Sequence, residues 1–518
     1  MVTRRYPGST AKVFVALLVS FLCACSSLEG PQSYSPNTVV PSVTADVPDL
    51  SADSSPVTTL PASGDGEQIS WIPCTGDDTL CATLKVPYSY TEDVSGYFTL
   101  SLRMRRASKE ASGGYLLVNP GGPGFGGTGM LNYPDYYFSS DILDNFDIVA
   151  WDPRGTGDST PFVDCVDNFD RYFAVDMSPD TPAERKGLVA AAEEFNAGCV
   201  ERSGEILPYV STINSARDMD SIRRALGVDK ISYFGFSYGS ELGAVWATLY
   251  PETVRAAVLD GASDPLAGSL AKTAAQAAGF EMQLQKFLDY CSNNPVCPFN
   301  NGMRSAQALD ELFVRANSSP VNTARVPITD GVLFTGITVA LYSDRMWDLL
   351  AEALFDLQMG DGSAILSLYD DYFQYDRREG VYGNELEAFL AISCLDDKGP
   401  ASVALVDANL PMFNEIAPRL GYGFAYGYFC ALWPEEEKDE VVVSGVNAGP
   451  IVVVGTTGDA ATPLESSARM AAALEGGVLV VVEADQHTGY NANACINKVV
   501  DRYLLELVVP KSSTRCRS

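Results

Sequence analysis

From Gln68 onward, short apolar runs alternate with longer stretches of helical period. Tyr97 to Arg105 alternates apolar and polar side chains, the period of a strand with one buried face. Gly114 to Val118, Phe146 to Trp151, Lys230 to Phe236, Val254 to Leu259, Ile451 to Val454 and Val478 to Val482 are near-continuous apolar runs, the pattern of strands buried on both faces. Ser215 to Leu226 carries Ala216, Met219, Ile222 and Leu226 at helical spacing and stops at Gly227. Tyr238 to Tyr250, closed by Pro251, and Leu464 to Leu474 also read as helices. Strands alternating with helices predict an α/β class: a mostly parallel central sheet with helices on both faces.

Between Ala262 and Glu440 strand signals fade and helical stripes take over. Ala277, Phe280, Leu284, Phe287 and Leu288 form one stripe. Trp347, Leu350, Leu354 and Leu357 form another, with Ser343 as N-cap and Gly360 past the end. The expected organisation is a core of 68–261 and 441–518 interrupted by a mainly helical lid, 262–440.

The N-terminal residues change the picture of where the chain works. Arg4, Arg5 and Lys12 precede a short apolar run, Val13 to Leu22, and then Leu22-Cys23-Ala24-Cys25. This reads as a lipoprotein signal peptide, 1–24, with the lipid on Cys25; an ordinary signal peptide cut near Ala24 is the alternative. The Ser/Pro/Thr-rich stretch 25–67 has neither helical nor strand period and is expected to be a disordered tether. The ten cysteines from Cys74 to Cys516 are even in number, so an exported chain is expected to pair them as disulfides. Spacing leaves the connectivity open; pairing of neighbours in chain order is the working expectation.

A net charge of −31 argues against nucleic acid as a partner, because phosphate binding needs clustered Lys and Arg. The single histidine, His487, excludes a multi-His metal site within one chain and must carry any imidazole chemistry. No metal and no cofactor are expected.

Gly235-Phe236-Ser237-Tyr238-Gly239 fits G-x-S-x-G. The string alone is a weak signal, but here an apolar run precedes it and a helical stretch follows. That context puts Ser237 on a sharp strand-to-helix turn, which projects a nucleophilic hydroxyl. A serine needs a base within reach, and His487 lies in the loop after the run Val478 to Val482. Asp459, just after Ile451 to Val454, is the expected orienting acid, giving the chain order Ser, Asp, His. Asp260 and Asp485 are its competitors. The glycine-rich Asn119 to Gly124 (NPGGPG) follows a strand and suits an oxyanion loop, with backbone donors expected from Gly122 and Tyr238.

These motifs, with Trp151 to Ser159 (WDPRGTGDS), resemble the proline iminopeptidase and tripeptidyl aminopeptidase group of α/β-hydrolases. Ala391 to Cys394, Trp433-Pro434 and Gly455 to Pro463 are similar to the C-terminal part of secreted actinobacterial tripeptidyl aminopeptidases. Pro120 stands where the iminopeptidases usually have His, which fits the tripeptidyl branch better. The resemblance implies a serine exopeptidase acting on peptide substrates with free N-termini. Carboxylesterases and lipases share the motifs, and an inactive hydrolase-fold binding protein is a third reading. Glu241, Asp396 and Asp397 are candidate anchors for a substrate ammonium. Tyr422, Phe424, Tyr426 and Phe429 either line a side-chain pocket or pack the lid. The expected location is the extracytoplasmic face of a membrane, reached through the lipid on Cys25. The oligomeric state is left open.

Overall fold

The computed structural model describes residues 68–76, 78–396, 399–434 and 440–517. The signal peptide, Cys25, the tether and Asp397 lie outside these residues.

A ten-stranded sheet forms the centre. Its strands are β1 (Ile72–Pro73), β2 (Leu80–Pro87), β3 (Tyr97–Arg105), β4 (Gly114–Asn119), β5 (Phe146–Trp151), β6 (Ile231–Phe236) and β7 (Val254–Asp260), then β10 (Ile451–Thr456), β11 (Gly477–Glu483) and β12 (Arg515–Arg517). Two short strands, β8 (Tyr375–Asp376) and β9 (Val381–Tyr382), make a separate hairpin. The order across the large sheet is β1-β2-β3-β5-β4-β6-β7-β10-β11-β12. The first three strands pair antiparallel, as does β3 with β5. Every pairing from β5 to β12 is parallel. This is the α/β-hydrolase architecture that the motifs imply.

Side-chain alternation sorts the strands onto two cores. Leu117, Val149, Tyr233, Leu259 and Val453 face one, beneath helices that contribute Met219, Leu242 and Met470. Leu116, Ile148, Phe234, Val258, Val452 and Val480 face the other, covered by Ile142, Ile496, Val500 and Leu504. Because both faces of β6 and β10 are buried, these strands carry no polar alternation.

Between β7 and β10 the described residues are mainly helical, with long helices at Ser269–Asn293, Ser305–Ser318, Trp347–Met359 and Val403–Ile416. Ser343 caps a short 3-10 turn, Asp344–Met346, that leads into Trp347–Met359, rather than capping that helix itself. Gly360 closes the helix in the left-handed conformation, φ 97°. The helix expected from Ser215 starts earlier, at Thr212, with Ser211 accepting the Asn214 N–H as its cap.

All ten described cysteines pair with their chain neighbours: Cys74–Cys81, Cys165–Cys199, Cys291–Cys297, Cys394–Cys430 and Cys495–Cys516. The bonds are consistent with an extracytoplasmic protein. No helix among the described residues is long and apolar enough to cross a membrane.

Parallel pairing brings the C-terminal ends of the strands together. Asn119 pairs with Gly235, Phe236 with Asp260, Asp260 with Val454, and Thr456 with Val482. The loops leaving these ends share one rim of the sheet, where open α/β sheets place their sites.

Candidate active site

β6 ends at Phe236 and a helix begins at Tyr238, so Ser237 alone makes the turn. It does so at φ 54°, ψ −125°, a strained conformation for a residue with a side chain. The flanking glycines are sterically required. A Cβ at Gly235 would lie 2.2 Å from the Gly239 carbonyl oxygen, and one at Gly239 would lie 2.8 Å from Asn119 Oδ1. The Ser237 N–H donates to the Asp260 carbonyl oxygen at 2.8 Å, tying the turn to the end of β7.

His487 sits in the loop after β11. Its Nδ1 lies 2.8 Å from Asp459 Oδ1 and 3.0 Å from Oδ2. A carboxylate at Nδ1 selects the tautomer with the proton there, leaving Nε2 as the basic lone pair. Nε2 has no hydrogen-bond partner among the described residues, and the Ser237 hydroxyl does not bond it. Such bonds often form only once substrate is bound. The ring of Tyr342 meets the imidazole edge to face at 5.4 Å, and the Tyr342 carbonyl accepts the His487 N–H at 2.7 Å. Burial lowers the affinity of His487 for a proton, but the charge and hydrogen bond of Asp459, helped by Asp260, outweigh it and raise its pKa above the ordinary value.

Asp459 is buried and accepts several more hydrogen bonds: the N–H groups of Ala461 at 3.0 Å, Thr462 at 2.8 Å and Thr488 at 3.1 Å, and the Thr462 hydroxyl at 3.0 Å. Thr462 Oγ1 is also 3.3 Å from His487 Nδ1. The sequence reading missed this threonine, although an Asp accepting from residues two and three further on is a recognisable turn.

The competing carboxylates point elsewhere. Asp485 accepts from Gln283 Nε2 at 3.0 Å and Lys286 Nζ at 2.5 Å. Asp260 is fully buried, and its two oxygens accept the Gly489 and Tyr490 N–H groups, each at 2.7 Å. Burial pushes its pKa up to about 7.

The glycine-rich loop packs directly on the serine turn. A Cβ at Gly121 would be 2.5 Å from the Phe236 carbonyl oxygen and 2.9 Å from Ser237 Cβ, and Gly121 adopts φ 100°. The Gly121 N–H is taken by Asn119 Oδ1 at 2.9 Å. The Gly122 N–H has no acceptor among the described residues, and that of Tyr238, first in its helix, has no intrahelical one. These are the two donors read from sequence.

Both described candidates for an ammonium anchor already have partners. Glu241 pairs with Lys272 Nζ at 3.0 Å and accepts the Ser263 hydroxyl at 2.8 Å. Asp396 accepts the Thr212 N–H at 3.0 Å and its hydroxyl at 2.5 Å, while Thr212 Oγ1 also contacts the Tyr238 hydroxyl. Asp396 is therefore linked to Tyr238 through one hydroxyl. Tyr422 and Phe424 pack on Phe334 and Tyr426 on Phe429, all within the helical segment, while Phe429 packs on Phe173 and Phe195 from the helices between β5 and β6. Among the described residues no cluster of three His, Cys, Asp or Glu could hold a metal ion.

Residues 417–516, which include Asp459 and His487, match the model of the TAP-like protein family. Serine protease Hip1 of Mycobacterium tuberculosis is 31% identical over 478 residues, covering 87% of this chain and 91% of its own. Carboxylesterase B of the same organism is 35% identical over 451 residues, covering 84% and 86%. Tripeptidyl aminopeptidase of Streptomyces coelicolor is 30% identical over 459 residues, covering 84% of each.

Proposed function

This chain belongs to the TAP-like family of α/β-hydrolases and is a serine hydrolase, and we propose that it is an exported aminopeptidase releasing di- or tripeptides from free N-termini. The observation that carries the chemistry is the His487 Nδ1 to Asp459 contact beside the strained turn at Ser237. Ser237 Oγ attacks the scissile carbonyl while His487 Nε2 takes its proton. Asp459 holds the tautomer and stabilises the imidazolium. The Gly122 and Tyr238 N–H groups receive the oxyanion. His487 returns the proton to the leaving amine, and water then releases the acyl group by the same steps in reverse. Asp396, linked to Tyr238 through Thr212, supplies negative field for the substrate ammonium. Glu241 is offset by Lys272 and contributes less.

The aminopeptidase reading draws support from the tripeptidyl aminopeptidase and serine protease relatives. The identity to carboxylesterase B keeps an esterase with the same triad as the second reading. A matched pair of tripeptide anilides, one free and one N-acetylated, separates the two. Acetylation removes a charge that the aminopeptidase site must recognise, so kcat/KM falls on the order of 10²-fold or more. Equal rates on both anilides, beside much faster cleavage of a short-chain ester, would make the enzyme an esterase.

Five disulfides support work outside the cytoplasm, and the Leu22-Cys23-Ala24-Cys25 sequence supports a lipid anchor on Cys25. The wild-type protein is expected in the detergent phase on partition. Cys25→Ser leaves it aqueous or unprocessed; unchanged partition of that variant would remove the anchor.

A further inference from the structure

Asp260 touches both halves of the catalytic apparatus without bonding a reacting atom. Its carbonyl oxygen, at the end of β7, accepts the Ser237 N–H at 2.8 Å. Its carboxylate accepts the N–H groups two and three residues beyond His487, those of Gly489 and Tyr490, at 2.7 Å each. Together with the Thr488 N–H on Asp459, three successive amides of the histidine loop end on two buried carboxylates. Tyr490 is held at its far end as well, where its hydroxyl donates to Asp501 at 2.5 Å. The loop carries Thr488 at φ 67° and Asn491 at φ 65°, so it follows an irregular path that fixed partners have to hold.

Resting on the triad reading above, we propose that Asp260 is a positioning residue: one side chain and its own carbonyl hold the general base and the nucleophile in register. A buried carboxylate that accepts two backbone N–H bonds is a strong, directional tether, because both bonds are charge-assisted. Without it the loop after His487 loses its anchor to the sheet, and Nε2 drifts from the Ser237 hydroxyl. Displacements of about 1 Å at this distance are costly to catalysis. The charged groups facing Asp260 are His487 and Asp459. Asp260 therefore also adds negative field to the imidazolium, in keeping with its part in raising the His487 pKa.

The test compares Asp260→Asn and Asp260→Glu with the wild type, each normalised to sites titrated by a fluorophosphonate. Asparagine keeps the shape but offers only one acceptor to two N–H groups and removes the charge. Its expected effect is a fall in kcat on the order of 10- to 10²-fold with KM little changed, and a downward shift of the acid limb of kcat/KM. Glutamate keeps the charge but displaces the loop, so kcat falls while the acid limb stays in place. A purely structural carboxylate would lower thermal stability yet leave kcat per titrated site and the limb unmoved, and that result overturns the proposal. Should neither variant fold, the unaltered protein answers through selectively labelled Gly489 and Tyr490 amides. Their proton resonances are expected well downfield of ordinary amides, as for N–H groups held on one carboxylate; ordinary positions for both reject the tether. His487→Ala run in the same series keeps the two failures apart, since activity surviving there would overturn the triad and not the contact.

Discussion

Ser237→Ala is expected to lower kcat on the order of 10³-fold or more and to abolish covalent labelling by fluorophosphonates, with the fold intact. The size follows from what is removed. Only Oγ can form the acyl-enzyme, and the oxyanion donors left behind account for the residual rate. The fold survives because the turn is anchored through the Ser237 backbone N–H, which alanine keeps. Alanine at φ 54° is as strained as serine, so the backbone has no reason to relax. Labelling of another serine in the variant would displace Ser237 from the mechanism. A wild-type protein that never labels would leave the hydrolase-fold binding protein as the surviving reading.

Legibility in the sequence tracked how much of each feature was local. β10 and β11 were plain because Val-rich runs are the direct consequence of burial on both faces. The serine turn was plain because its glycines are demanded by contacts within a few residues. The 22-residue helix Pro182–Ser203 leaves little periodic trace in the sequence. Its buried side is Leu188, Ala192, Phe195, Asn196, Cys199 and Ser203, a mixture of large, small and polar residues that blurs the hydrophobic period. The usable signal was the capping box at its start, where Thr181 and Glu184 satisfy each other's backbone N–H. β12 was too short and too charged to read; it pairs with the end of β11, and a disulfide pins it there. The partners of Glu241 and Asp396 lie 31 and 184 residues away, so no local pattern could show that these carboxylates are occupied. Chain order favours Asp459 over Asp260 and Asp485, but which carboxylate meets the imidazole is decided only where the three loops fold together.

Asp459→Asn puts that choice to its strongest test, with an expected loss on the order of 10⁴-fold in kcat and little change in fold. Oδ1 of the carboxylate accepts from the Ala461 and Thr462 amides, and both oxygens face His487 Nδ1. An asparagine keeps its carbonyl on the Ala461 and Thr462 amides, giving up the Thr488 N–H that Oδ2 accepts, and so turns its NH2 toward Nδ1. The imidazole then accepts at Nδ1 and carries its proton on Nε2, where the serine needs a base. The defect is one of tautomer and not of protonation, so raising the pH does not recover the rate. The acid limb nevertheless moves, and its direction is set by the cause of the His487 shift. Asp459 raises the histidine pKa by charge and by hydrogen bond, so the neutral, active imidazole of the wild type predominates only above that raised value. Without the charge, burial and the loss of the bond both favour the neutral ring, and the limb of the residual activity shifts to lower pH. The measurement is a kcat/KM profile across pH 5–9 for wild type, Asp459→Asn and Asp485→Asn. Asp485 faces Gln283 and Lys286, so its variant is expected to keep most of the activity and the wild-type limb. A 10⁴-fold loss in Asp485→Asn or Asp260→Asn, with Asp459→Asn near wild type, would move the acid to the other loop.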